Sequence, residues 1–229
     1  MRVEPIKTRL FKEGEDLVAF TTEHIPSVKD GSIIAVVSKI VALAENRVVA
    51  VVEDKETLIK KESEWMRHVF GAWWLTVHDG TVVVNAGIDE SNADGMMILL
   101  PRDSFAAASE ARRRLCEAFN VKNLGVIITD SRIMPLRAGV VGVALGYAGF
   151  KGVRDYRWTP DLFGRPMEVT QTDVADSLAT AATLVMGEGS EQQPLAIIED
   201  APVVWTDKTD REELKIPRDQ DIFKSLFDE

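Results

Sequence analysis

Three runs in this chain are apolar at almost every position and then stop abruptly at polar residues: SIIAVV before Ser38-Lys39, LGVIIT before Asp130-Ser131, and LAII before Glu199-Asp200. Runs of this length, rich in isoleucine and valine, are predicted to be buried strands. The fold is therefore committed to a sheet that delivers polar groups at its strand ends, which is where sheets build sites. In Gly31 to Ala42 the strand is expected to end at Ser38-Lys39, with a second strand in RVVAVVED, and LGVIITDS is expected to stop at Asp130 and Ser131.

Other segments fill in the elements around these strands. Lys55 to Arg67 is charged and is expected to be helical, and WWLTVHDGTVVVN is predicted to be a hairpin whose Asp79-Gly80 supplies the positive φ angles of a tight turn. MMILLP is a further strand, and Ser104 is the expected N-cap of the helix SFAAASEARRRLCEAF. VVGVALGYAGF is expected to be a closely packed strand and DYRWTPDLFGRP an ordered, charged loop. VTQTDVADSLATAATLVMG is expected to be a helix capped near Thr172, and APVVW a strand. No internal repeat or low-complexity linker divides residues 1–229, so the expectation is a single domain, or one with a lobe. The charged segment 206–229 is either a helix packed on a partner through IFKSLF or a solvated tail.

Composition excludes several functions. With 229 residues, 45% of them hydrophobic, the chain can bury a real core. Its formal net charge of -10 argues against nucleic acid as a partner, because phosphate-backbone binding needs an extended basic surface. An anionic small substrate would have to be received locally, by bound divalent cations and by cations such as Lys39, Arg137, Arg157 or Arg165. Cys116 is the only cysteine, and His24, His68 and His78 lack the spacing of a zinc site. No stretch approaches the roughly 20 apolar residues that span a bilayer, and MRVEPIKTRLFKEGEDL is too charged for a signal peptide. A cytoplasmic protein with no membrane partner is expected.

Two polar clusters carry the chemical interest. NAGIDESN, Asn85 to Asn92, is either a solvated turn or an oxygen-rich site for a hard cation and the phosphates it carries. Asp89 and Asp130 stand at strand ends far apart in sequence, as two unrelated surface aspartates or as one site. The glycine-rich GEGSEQQP after the last long helix is a C-cap and turn, or a place where the backbone N–H groups of Gly187, Gly189 and Ser190 approach phosphate. It is not a Walker P-loop, since no GK[ST] follows.

NAGIDESN, ITDS, PLRAG, DYRWTPDLFGR and the helix ending LVMGEG, in this order and at these separations, resemble the gamma-glutamyl ligases that add glutamate to the precursor of the deazaflavin coenzyme F-420. The resemblance runs from about Pro5 to Ile198. PIKTR, TDS with PLR, and LVMGEG are similar to a divergent branch labelled folate-metabolism gamma-glutamate ligases. The resemblance implies an α+β (mixed α/β) fold of largely antiparallel sheets with packed helices, and a homodimer. It implies a GTP-dependent ligase, or one using another nucleoside triphosphate, that works with Mg²⁺ or Mn²⁺. Its substrates would be L-glutamate and a carboxylate acceptor, joined through an acyl phosphate. By the same resemblance Asp89, Asp130, Ser131 and Glu188 are metal ligands, and Ser38, Lys39 and Asn92 meet the nucleotide together with Gly187, Gly189 and Ser190. Asp89, Asp130 and Arg137 are the catalytic candidates.

The chain departs from that pattern at three places. SKIVSKAEG becomes SKIVALAEN, so Leu43 replaces a lysine, and a GLPEI-like loop becomes IKTRL. After Asp130-Ser131, FGRPWR-GQTDVAIG becomes RIMPLRAGVVGVALG. Loss of hydrogen-bonding side chains there predicts an acceptor other than the deazaflavin precursor, such as a folate-like acid, with Arg137 and Arg132 receiving carboxylates. Two other functions fit the same residues: a metal- or nucleotide-binding protein without turnover, and a metal-dependent phosphate-ester hydrolase.

Overall fold

The computed structural model describes residues 1–51 and 54–227. Its centre is a five-stranded sheet in the order β1 (Arg2–Ile6), β12 (Leu195–Glu199), β2 (Ser32–Val37), β8 (Leu124–Ile133) and β9 (Val140–Ala148). The β2–β8 pair is parallel and the other pairs are antiparallel. The three apolar runs of the sequence are the three inner strands, which explains their lack of polar alternation: both faces are covered. Ile34, Val36, Val126 and Ile128 point to one layer, which holds helices α1 (Leu17–His24) and α4 (Ser104–Phe119). Ile33, Ala35, Ile127 and Ile198 point to the other, which holds α5 (Val174–Met186).

The remaining elements form a smaller unit with a core of its own, built around Leu58, Ile59, Ala86, Ile88, Met97 and Leu99. It contains β3 (Val48–Ala50) paired with β7 (Met96–Ile98), helix α3 (Lys55–Lys61), and the three-stranded β4 (Trp65–Phe70), β5 (Trp73–His78) and β6 (Thr81–Val84). The β5–β6 turn is the predicted one, with Asp79 at φ 47° and Gly80 at φ 70°. Helix α2 (Ser38–Ala44) follows β2 without a gap. A short β10 (Val153–Asp155) pairs with β11 (Gln171–Asp173) and brackets the charged loop between them.

Several expected boundaries move. The charged helix stops at Lys61, because WMRHVF from Trp65 pairs in an antiparallel ladder with β5. β8 does not stop at Asp130-Ser131 but runs on to Ile133, paired with Val140 to Val143 of β9, so the two polar residues sit within a strand. Asp103 caps α4 in place of Ser104, accepting from the Ala106 amide, and Asp173 caps α5 in place of Thr172, accepting from the Asp176 amide. Of RVVAVVED, Val48–Ala50 is strand, while Val52 and Glu53 lie outside the described residues. APVVW is extended but forms only an isolated bridge at Trp205 to Phe150. The described part of segment 206–229 holds short 3-10 turns and lies against its own chain. Glu213 accepts from the Tyr147 hydroxyl and the Gly152 amide, and Lys215 pairs with Asp79. No helix among the described residues is long and apolar enough to cross a membrane.

Candidate active site

The carboxyl ends of the parallel pair open into a cleft of about 260 Å³. Val37 and Thr129 are the last register partners of β2 and β8, so the next residues of each strand, Ser38 and Asp130, emerge side by side. The Ser38 hydroxyl donates to Asp130 Oδ1 at 3.3 Å. At the register shift between Ile128 and Thr129 the extra residue, Leu145, lies in β9, while β8 keeps its parallel register with β2 through Thr129. The other oxygen of Asp130, Oδ2, accepts from Arg132.

The opposite wall is NAGIDESN. Asn85 (φ 51°) and Ala86 (φ 54°) turn the chain, the Asn85 side-chain oxygen accepts from the Trp74 amide, and Asp89 is then fixed by a two-way bridge with Ile98. Asp89 folds into an Asx turn, accepting from the Ser91 amide at 2.7 Å and the Ser91 hydroxyl at 3.0 Å. Across the cleft the Lys39 ammonium lies 2.8 Å from Asp89 Oδ2 and 2.8 Å from the Ser91 carbonyl oxygen. Burial would push the Asp89 carboxyl up, but the Lys39 ammonium and the Ser91 amide outweigh it, so Asp89 titrates below the ordinary carboxylate range.

The third wall is the turn after α5. Gly187, at φ 82°, ends the helix. The Ser131 hydroxyl reaches Glu188 at 2.9 and 3.0 Å, and the Asn92 side-chain amide donates to the Gly189 carbonyl oxygen at 3.2 Å. The Gly189 N–H donates to the Glu191 carboxylate at 2.8 Å. An anionic oxygen of the protein thus sits on this amide in the way a phosphate oxygen would. Thr8 to Phe11 form the remaining rim, tied down where the Thr8 amide donates to the Gln192 carbonyl oxygen.

Residues 51–200 match the family model described as F420-0:Gamma-glutamyl ligase. Coenzyme F420:L-glutamate ligase of Methanopyrus kandleri is 36% identical over 218 residues, covering 86% of each chain. The protein of that name from Archaeoglobus fulgidus is 35% identical, covering 86% of this chain and 88% of its own. That of Methanothermobacter thermautotrophicus is 36% identical, with 96% and 90% covered. The chain belongs to the F420-0:gamma-glutamyl ligase family.

In this member of the ligase family the cleft is lined by Ser38, Lys39, Asp89, Asn92, Asp130, Ser131, Gly187, Glu188 and Gly189, all singled out from sequence. Ser190 is exposed just outside the lining, and Arg137 is exposed at the tip of the β8–β9 hairpin, away from the cleft. Arg157 pairs with Asp155 on the surface, and the Arg165 amide closes a turn on Asp161. Arg132, expected to receive a carboxylate from solvent, is buried and already holds one. Leu43 does line the cleft, so the lysine of the related pattern is exchanged for an apolar wall. Ser91 was not assigned a role, although Asp-x-Ser is a turn-forming spacing that marks it. The segment IKTRL, marked in the sequence as replacing a GLPEI-like loop, supplies Thr8, Arg9 and Leu10 to the rim, and Phe11 joins them through the fold.

The donors suit a hard divalent cation. Among the described residues no three His, Cys, Asp or Glu side chains come close enough to hold a metal ion unaided. Asp89, Asp130 and Glu188 instead face the cleft one from each wall, with hydroxyls beside them. Single carboxylates completed by water and phosphate oxygens match the way Mg²⁺ and Mn²⁺ are usually held.

Proposed function

We propose that the chain is a nucleotide-dependent amide ligase joining the amino group of L-glutamate to a carboxylate of an acceptor acid. The observation that carries this reading is the convergence in one cleft of Lys39, three carboxylates on separate walls and the glycine turn after α5. In the first step an acceptor carboxylate oxygen forms a bond to the terminal phosphorus of GTP or another nucleoside triphosphate, and the bond to the departing diphosphate breaks. In the second the glutamate amine attacks the acyl carbon, the C–O bond to phosphate breaks, and the amine proton leaves with phosphate or water. No covalent enzyme group is needed; positioning and charge stabilisation are what the protein supplies.

Asp89 and Asp130, with Ser131 and Glu188, would hold Mg²⁺ or Mn²⁺, which when bound neutralises charge on the transferring phosphoryl group. The Lys39 ammonium would exchange Asp89 for phosphate as a point charge. Asn92 and the amides of Gly187 and Gly189 would orient the nucleotide. The names of the relatives make the deazaflavin coenzyme the favoured acceptor. None of the altered residues 132–146 is among those lining the cleft, and the folate-like acid expected from that departure is kept as the second acceptor to assay. The tip of the β8–β9 hairpin exposes Ile133, Met134, Leu136 and Val140 and suits cover by a second copy of the chain.

The decisive assay is phosphate release from each nucleoside triphosphate with Mg²⁺ or Mn²⁺, omitting in turn the acceptor and glutamate. Release should require both, with labelled glutamate appearing in the deazaflavin product. Release that persists without either substrate would make the protein a hydrolase.

A further inference from the structure

Arg132 is the first residue of the segment in which the chain leaves the pattern it otherwise resembles, and it is the buried cation of the site. Its side chain is 7% exposed, its guanidinium pairs with Asp130 Oδ2 and donates to the Ser131 carbonyl oxygen at 3.1 Å, and its Nε has no partner. Its positive charge also reaches Asp176, a carboxyl on α5 that burial pushes up and that accepts from the Ala144 amide. With Ser38 on Oδ1 and Arg132 on Oδ2, both oxygens of Asp130 are engaged from within the protein. Asp89, by contrast, is matched by Lys39, a 23% exposed side chain on a flexible stem that can swing away.

We propose that Arg132 is a positioning residue that acts as a built-in counter-cation at Asp130. It fixes the carboxylate toward the cleft and neutralises it, so that a divalent cation is held weakly by the free protein and well only when nucleotide phosphates supply further oxygens. The inference rests on the reading that Asp130 is a ligand of that ion. A guanidinium buried beside a carboxylate cannot deprotonate or leave without stranding a charge, so its charge is a permanent competitor to the ion.

The test is calorimetric titration of Mn²⁺ without nucleotide into wild type, Arg132→Met, Arg132→Gln and Arg132→Lys. Gln keeps a donor to Asp130 while removing the charge. Met and Gln variants should bind Mn²⁺ at least tenfold more tightly than wild type, Lys should restore the wild-type value, and adding Asp130→Asn to Arg132→Gln should abolish the gain. Equal affinity in wild type and the neutral variants overturns the proposal. A second measurement needs no change at Arg132: in metal-free buffer Asp130→Asn should lower the melting midpoint by stranding the guanidinium, and an unchanged or raised midpoint overturns it too. Failure of the underlying reading has a different signature, namely Mn²⁺–nucleotide affinity unaltered by Asp130→Asn.

Discussion

Lys39 stands in the first turn of α2 with its ammonium shared between Asp89 and the Ser91 carbonyl oxygen, each at 2.8 Å. If it transfers to phosphate during turnover, Lys39→Met should lower kcat/KM for the nucleotide by about 10- to 150-fold, since a lost charge-assisted contact is worth roughly 1.5–3 kcal/mol. An effect under threefold would remove Lys39 from the machinery. The same pair makes a pH prediction. Asp89 has a depressed folded pKa, so its contribution to stability is full above its unfolded value of about 3.9 and is lost as pH falls through the folded value. With Lys39 removed, burial is left to push the Asp89 carboxyl up, so the stability difference between wild type and Lys39→Met should shrink as pH falls from neutral through the carboxylate range. Urea titrations at successive pH values check this, and a difference that grows on acidification contradicts it. At a pair this exposed the difference itself should be under about 1 kcal/mol.

At the scale of elements, β9 is held between two helices by glycines on opposite faces. A Cβ on Gly146 would lie 2.5 Å from the Ser104 carbonyl oxygen and 2.6 Å from the Phe105 nitrogen, in the first turn of α4. One on Gly142 would lie 2.5 Å from the Ala179 carbonyl oxygen of α5. Glycines four apart would share a face in a regular strand; the register shift opposite Ile128 and Thr129 turns them apart. Gly146→Ala must push α4 by its backbone and should cost about 1–3 kcal/mol, against about 1 kcal/mol for removing the α4 cap with Asp103→Ala. Chemical denaturation of both variants gives the comparison, and a Gly146→Ala as stable as wild type refutes the packing argument. The inner strands, α4, α5 and the Asp79-Gly80 hairpin were all legible in the sequence, because long apolar or Ala-rich runs and tight turns are local signals. The end of α3, the extension of β8 and the bulge were not, since partner strands decide them. Cleft residues were legible where polar groups follow apolar runs or quoted motifs. Thr8 to Leu10 were marked only as a departure from the related pattern, and the burial of Arg132 was invisible, because only its three-dimensional neighbours make it part of the site.

For the whole molecule, β12 occupies the position that matters most. It lies between β1 and β2, pairing Leu195 to Glu199 with β1 on one side and Leu195 to Ile198 with β2 on the other. A chain ended after Pro194 should therefore lose cooperative unfolding altogether rather than fray at one edge, as far-ultraviolet dichroism and limited proteolysis would show. A protease-resistant core in the shortened chain would contradict this. The placement also sets a timetable for biosynthesis. At about 5–20 residues per second, β2 leaves the ribosome on the order of ten seconds before the strand that must slot in beside it. Through that interval the nascent chain carries two unsealed hydrogen-bonding edges, β1 and one side of β2, flanked by Ile33, Ile34 and Val36. The central sheet of this protein therefore closes only once residue 199 is available, and its yield in a cell should track how well chaperones shield those edges until then.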